Sequence, residues 1–173
     1  MLLFWALITG TASYTPNLRY NVSEGGNEHV LQFQPAGFGG DANRSLANRR
    51  VLWLSASLPN DGCAESRAPA TTGDWVALVN RGDCHFSFKA GQAQAAGACA
   101  VIIVDTAEDD NQVQRFPFTM CPFPGDGEVD IPVMLVAHTD GVLLAGFAQD
   151  AAWANITIPP FTVNDNCDGP QLT

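Results

Sequence analysis

The stretch from Trp75 to Asp105 constrains the fold more than any other part of this 173-residue chain. Trp75 to Asn80 (Trp-Val-Ala-Leu-Val-Asn) is a compact apolar run of strand length. Cys99 to Asp105 (Cys-Ala-Val-Ile-Ile-Val-Asp) is a second run, apolar on both faces and therefore a central strand. Between them Phe86, Ala90, Ala93 and Gly97 recur at intervals of 4, 3 and 4, the spacing of one helical face. This predicts a helix that starts at Ser87, whose hydroxyl can cap the first-turn amides, and stops at Gly97. Its inward face is nearly all Ala and Gly, so the helix axis can approach a sheet closely and offers no side chain for chemistry. Gly91 costs about 1 kcal/mol inside a helix, which close packing would offset. Strand, helix and strand form a crossover unit, which favours a parallel pair.

The remaining elements are shorter. Leu18 to Val22 and His29 to Gln34 read as strands split by the turn-prone Glu24-Gly25-Gly26-Asn27. Arg50 to Ser57 is another strand, turned at Pro59-Asn60-Asp61-Gly62. Thr106 to Asp130 is polar and rich in Pro and Gly, a long surface excursion. Ile131 to Ala137 is a buried strand with Pro132 tolerated near its start. Thr139 or Asp140 can cap a short helix running to Gln149, and Trp153 to Ile158 alternates as a last strand. No repeat or composition shift marks an internal boundary, and the length suits one domain with a proper core.

A formal charge of −10 argues against nucleic acid and against electrostatic docking on anionic membranes. No stretch reaches the roughly 20 apolar residues of a membrane span; Gly141 to Phe147 is too short. Met1 to Ala12 carries the apolar run Leu2 to Ile8 followed by small residues, and reads as a secretory signal cleaved before Ser13. Asn21, Asn43 and Asn155 head Asn-x-Ser/Thr sequons and are candidate glycosylation sites. These features point to a secreted protein or to the lumen of the secretory pathway.

The cysteines are Cys63, Cys84, Cys99, Cys121 and Cys167, with no Cys-x-x-Cys among them. A zinc ribbon and a thioredoxin-like motif are thereby disfavoured. Cys99 sits in a buried-strand context, where cysteine behaves as a small hydrophobe, and is the candidate for the thiol left out. Cys63 and Cys84 flank the Trp75 strand; a bridge there closes a loop of about twenty residues and contributes roughly 3 kcal/mol. Cys121 with Cys167 remains by subtraction, one of fifteen two-bridge patterns that five cysteines permit.

Val76-Ala77-Leu78-Val79-Asn80-Arg81-Gly82-Asp83-Cys84-His85-Phe86-Ser87-Phe88-Lys89, then Ala93-Gln94-Ala95-Ala96-Gly97-Ala98, then Val101-Ile102-Ile103-Val104-Asp105, resembles the protease-associated (PA) domain family. Its hallmarks are an apolar strand, Arg-Gly-x-Cys-x-Phe-x-x-Lys, an Ala-Gln-x-Ala-Gly-Ala helix end and a Val-Ile-Ile strand. Asp130-Ile131-Pro132-Val133-Met134 is similar to the family's Ile-Pro strand, and Asp140-Gly141 to its Asp/Glu-Gly turn. Val51-Leu52-Trp53-Leu54, ending in Asp61-Gly62-Cys63, is similar to the segment that brings in the first cysteine, whereas Cys121 has no place in the family pattern.

The resemblance covers 31–158 as a PA domain, so the chain divides into the signal read above (1–12), an extension (13–30), the PA domain and an irregular tail (159–173). It implies an α+β fold, a curved sheet forming a partly closed barrel or sandwich flanked by two short helices. It also implies a non-catalytic module that binds a protein or peptide, resembling small secreted PA-domain-only proteins. The alternative is a substrate-recruiting fragment of a larger secretory-pathway peptidase or membrane RING ubiquitin ligase.

Catalytic motifs are absent: no His-Glu-x-x-His, Gly-x-Ser-x-Gly or phosphate loop occurs, so no enzyme activity and no cofactor are expected. Cys84 and His85 are neighbours, but adjacent side chains on an extended chain point apart. Asp126, Glu128 and Asp130 alternate as some calcium ligands do, yet further oxygen ligands are missing; they and Glu108-Asp109-Asp110 read as solvated loops, and no metal site is expected. His29 and His138 read as ordinary surface or strand-end residues. Arg81-Gly82-Asp83 spells an integrin-type tripeptide, but before a bridged cysteine it reads as a tight turn. The candidate binding segment is Arg81, Gly82, Asp83, Cys84, His85 and Phe86, which the resemblance to sorting receptors associates with cargo peptides. In it Arg81 could grip a carboxylate or backbone carbonyls, while Phe86 packs inward; the alternative is a loop that only fixes the fold.

Overall fold

The structure, a computed structural model, describes residues 17–21, 29–42, 46, 53–56, 61–68, 73–105, 119–149, 155–163 and 167. The signal segment, Asn43, the Glu108-Asp109-Asp110 run and most of the tail lie outside them.

The described elements run β1 (Asn17–Asn21), β2 (His29–Pro35), β3 (Trp53–Ala56), β4 (Trp75–Asn80), α1 (Phe86–Ala95), β5 (Ala100–Val104), β6 (Val133–Val136), α2 (His138–Gln149) and β7 (Asn155–Thr157). The strands form one closed barrel in the order β1-β2-β6-β5-β4-β3-β7, with β7 returning to β1. This is an α+β fold, and the sheet closes fully instead of staying partly open. Closure depends on β3 pairing with β7 through Trp53 opposite Asn155, and on β1 bridging β2 and β7. Neither link is visible in any local pattern.

The crossover lies where the sequence puts it. β4 pairs parallel with β5 (Val76 opposite Ala100, Asn80 opposite Val104), and β5 pairs parallel with β6. Both faces of these strands are covered, which is why they read as unbroken apolar runs. On one face Val76, Leu78, Ala100, Ile102, Val104, Met134 and Val136 join Phe33 of β2 and Ile156 of β7 in a core drawn from around the barrel. That cluster is the interior, and α2 contributes Leu144 to it. On the other face Ala77, Val79, Val101, Ile103, Val133 and Leu135 pack against Phe86, Ala90 and Ala93 of α1 and against Met120 and Val129.

Two helix boundaries differ from expectation. α1 begins at Phe86 with His85 as the extended N-cap residue, whose side chain makes no capping bond. Ser87 lies inside the first turn, buried, with its hydroxyl engaged elsewhere. Gly97, at φ 89°, ends the helix in the left-handed conformation, with its amide donating to the Gln94 carbonyl at 2.9 Å. α2 starts at His138, so Asp140 and Gly141 lie within its first turn and do not form a separate turn. There the chain comes so close to β5 that a Cβ on Gly141 would meet Val104 Cγ1 at 2.1 Å. Gly91 has no such neighbour: the nearest atom to a Cβ there is the Asp126 carbonyl at 4.0 Å, so close packing does not explain it.

Candidate functional site

Because β4 and β5 are parallel neighbours in register, Arg81 and Asp105, each one residue past its strand, stand side by side. The Arg81 amide donates to the Val104 carbonyl at 2.9 Å, continuing the ladder. Arg81 Nη1 lies 2.7 Å from Asp105 Oδ1, with the side chains only 13% and 5% exposed. The guanidinium also sits 5.9 Å from the centroid of the Phe86 ring. The carboxylate that Arg81 grips is therefore Asp105 of the same chain, and its head group braces the exit of the central strands.

Gly82 and Asp83 follow with φ of 109° and 64°. Left-handed residues in succession reverse the chain sharply, and the Cys84 amide closes the turn on the Gly82 carbonyl at 2.8 Å. Asp83 is left exposed to solvent. Cys84 is bridged to Cys63, and Cys121 to Cys167; Cys99 belongs to neither bridge and its thiol donates to the Trp75 carbonyl at 3.0 Å. A bridged Cys84 has no thiolate with which to attack a substrate.

Beyond the cysteine the loop is stitched to the segment around Phe123. The His85 ring stacks on Phe123 with centroids 3.6 Å apart and planes inclined by 19°. Its Nδ1 is 3.4 Å from Asp126 Oδ2. Ser87 Oγ donates to that carboxylate oxygen at 2.6 Å and accepts the Phe123 amide at 2.8 Å. Phe86 is buried in the outer core, as the sequence reading has it. His85 is half-buried and Phe123 exposed, so together with Asp83 they make up the solvent-facing part of the loop.

Two further polar side chains of α1 hold neighbouring segments. Lys89 is fully buried; its Nζ donates to the Asp61 carbonyl and lies 3.2 Å from Cys63 Sγ. Burial lowers its pKa from the ordinary lysine value, while the Asp61 and Asp83 carboxylates pull it back up. Gln94 Oε1 accepts the Asp130 amide at 2.7 Å and its Nε2 donates to the Glu128 carbonyl at 3.2 Å, pinning that loop to the helix. Of the three acidic residues that alternate there, Asp126 serves Ser87 and His85 while Asp130 is held through its backbone. Among the described residues no group of three or more His, Cys, Asp or Glu side chains is placed to hold a metal ion.

Several of these residues carried no assigned role in the sequence: Asp105, Ser87 as an anchor, Lys89, Gln94 and Phe123. A signal exists for Lys89 and Gln94, since each is a long polar side chain on a helix, Phe86–Ala95, in which six of the ten residues are Ala, Gly or Phe. His138, at the start of α2, lies with Nδ1 3.2 Å from the Asp105 carbonyl. Asn21 and Asn155 fall in β1 and β7. No helix among the described residues is long and apolar enough to cross a membrane.

Comparison with known proteins gives consistent results. The family model of the PA domain matches residues 47–144, more than half of the chain. ER degradation-enhancing alpha-mannosidase-like protein 3 of Homo sapiens is 31% identical over 119 residues, covering 66% of this chain and 12% of that protein. Signal peptide peptidase-like 2 of Arabidopsis thaliana is 33% identical over 97 residues, covering 56% of this chain and 17% of that protein. The chain thus spans a small part of the length of these curated relatives. The solved aminopeptidase from Aneurinibacillus sp. strain AM-1 superposes with a TM-score of 0.52 at 15% identity, covering 85% of this chain and 31% of that one, a likeness of fold.

Proposed function

The chain belongs to the PA domain family, and from that membership we propose that it is a non-catalytic module that binds a protein or peptide through the Arg81–Phe86 loop. The observation that carries this reading is the division of labour within the loop. Arg81, Cys84 and Phe86 are tied to Asp105, Cys63 and the outer core, so the loop is rigid before anything binds. Asp83, His85 and the adjoining Phe123 supply one carboxylate, one imidazole and one aromatic surface facing solvent. A preorganised loop loses little conformational freedom on association, and aromatic groups with a few polar ones make effective peptide contacts. Arg81 then acts as a positioning residue, while Asp83, His85 and Phe123 touch the ligand.

The test is panning of a random-peptide display library on the full chain. The reading expects enriched peptides whose binding falls at least tenfold in a chain carrying Asp83→Ala and Phe123→Ala, with thermal stability retained. Binding equal to that of the unaltered chain would refute the loop's role.

The two disulfides suit an oxidising compartment and fit a secreted or lumenal protein. Within that setting we propose signal cleavage before Ser13, glycans at Asn21, Asn43 or Asn155, and a PA domain extending over 31–158. Intact-mass measurement of secreted material, with and without deglycosylation, tests these together. The small share of each relative that the chain covers supports a second reading, a recruiting segment within a longer polypeptide. Reading the transcript beyond Thr173 in frame distinguishes the two.

A further inference from the structure

Among the described residues the surroundings of the two disulfides are unlike. Lys89 Nζ lies 3.2 Å from Cys63 Sγ. The carbonyl oxygens of Asp61 and Gly82 stand further from that sulfur, at 3.6 and 3.8 Å. In the second bridge Cys121 Sγ lies 3.6 Å from the Thr119 carbonyl and Cys167 Sγ 3.8 Å from the Gly37 carbonyl, groups that would repel a thiolate. A neutral disulfide sulfur gains little from an adjacent ammonium, whereas an anion at the same point gains much. A cation in contact with sulfur is the setting in which thiol pKa values fall and thiolates leave readily. Cys63 and Cys84 are half-buried, as are Cys121 and Cys167, so the two bridges differ in neighbouring charge and not in exposure.

We propose that Cys63–Cys84 is a site of thiol–disulfide exchange, in which an incoming thiolate attacks Cys84 and Lys89 holds Cys63 as the departing thiolate. In the first step the thiolate of a cellular thiol forms a bond to Cys84 Sγ, the disulfide bond breaks and its electron pair leaves on Cys63 Sγ. The product is a mixed disulfide at Cys84 and a Cys63 thiolate against the Lys89 ammonium. In the second step another thiolate attacks the thiol-derived sulfur of the mixed disulfide, expelling Cys84, which takes a proton. The cysteine pair has then gained two electrons and two thiols have become one disulfide; of their two protons one is on Cys84 and one in solvent. Opening the bridge unties the Arg81–Phe86 loop from the 61–63 segment while leaving the Arg81 to Asp105 pair in place.

The test uses the full chain equilibrated in glutathione buffers of graded reducing strength, acid-quenched, alkylated and read by mass at each cysteine peptide. Cys121–Cys167 serves as the internal control. The expected result is that Cys63–Cys84 opens under buffers that leave the control bridge oxidised. In Lys89→Met its midpoint should require a ratio of [GSH] squared to [GSSG] about tenfold higher, because an adjacent opposite charge shifts a pKa by a unit or more. Both bridges opening together in the unaltered chain, or an unchanged midpoint in a folded Lys89→Met, overturns the proposal. Should that variant fail to fold, Cys84→Ala leaves Cys63 as a single thiol beside Lys89. Its alkylation rate should rise with a midpoint well below the ordinary cysteine value of about 8.5, and a midpoint at or above that value overturns the proposal equally.

Discussion

At the scale of single residues, two helical glycines have opposite reasons for being there. Gly141 is required by space: a Cβ would stand 2.1 Å from Val104 Cγ1 and 2.9 Å from Val104 Cβ, at the end of a central strand paired on both sides that cannot shift cheaply. Gly91 has room for a methyl group, and there the unfavourable helix propensity of glycine is uncompensated. Gly141→Ala should therefore destabilise the protein by about 1–3 kcal/mol through overpacking. Gly91→Ala should stabilise it by about 0.5–1 kcal/mol. Urea midpoints of the two variants, measured with both disulfides intact, check the pair of signs at once. The sequence reading assigned close packing to Gly91, and the periodicity of the helix gave no warning, because it reports which face is buried and not how near the neighbours come.

At the scale of elements, the helix α1 is held by more than its apolar face. Ala90 and Ala93 set the distance to the sheet, while Ser87 and Gln94 hold two points of the stretch between Phe123 and Ile131 and Lys89 reaches the loop at Asp61. Ser87 is the most exacting of these, since one hydroxyl serves both the Asp126 carboxylate and the Phe123 amide. Ser87→Ala should cost about 1–2 kcal/mol, the range for leaving a largely buried polar partner unsatisfied. It should also loosen the stack of His85 on Phe123, read as a gain in the mobility of the Phe123 ring by nuclear magnetic resonance. A serine that merely capped the helix would weaken α1 without touching Phe123, so the second measurement separates the two roles. The sequence could announce a serine near a helix start. It could not announce that the hydroxyl faces a partner 39 residues away.

For the whole molecule, the barrel is closed by its least obvious strands. β4, β5 and β6 are buried on both faces and would be recognised in any context. β3 and β7 meet through a single residue pair, Trp53 with Asn155, so the seam is narrow. The Cys121–Cys167 bridge ties the segment that follows β7 back to the barrel, joining residues 46 apart in sequence. Replacing both cysteines by serine should lower stability by up to about 4 kcal/mol on the loop-entropy account. Amide exchange should quicken first in β7 and β1 while β5 keeps its protection. Equal acceleration in β5 would mean that the barrel opens as one unit and that the bridge has no local role.

The sequence by itself determined the crossover from β4 through α1 to β5, the double-sided burial of the central strands, and the ordered run of Arg81, Cys84, Phe86 and Lys89. These rest on short-range periodicity and on the apolar character of contiguous residues, which any stretch of chain carries with it. The tertiary structure alone decided that the sheet closes, that Arg81 is held by Asp105, that Ser87 anchors a distant loop and that Lys89 stands against Cys63. Each of those depends on which polar groups are brought together once the strands have packed. A charged or hydroxyl side chain has many partners that would satisfy it equally, and only the packed geometry selects one.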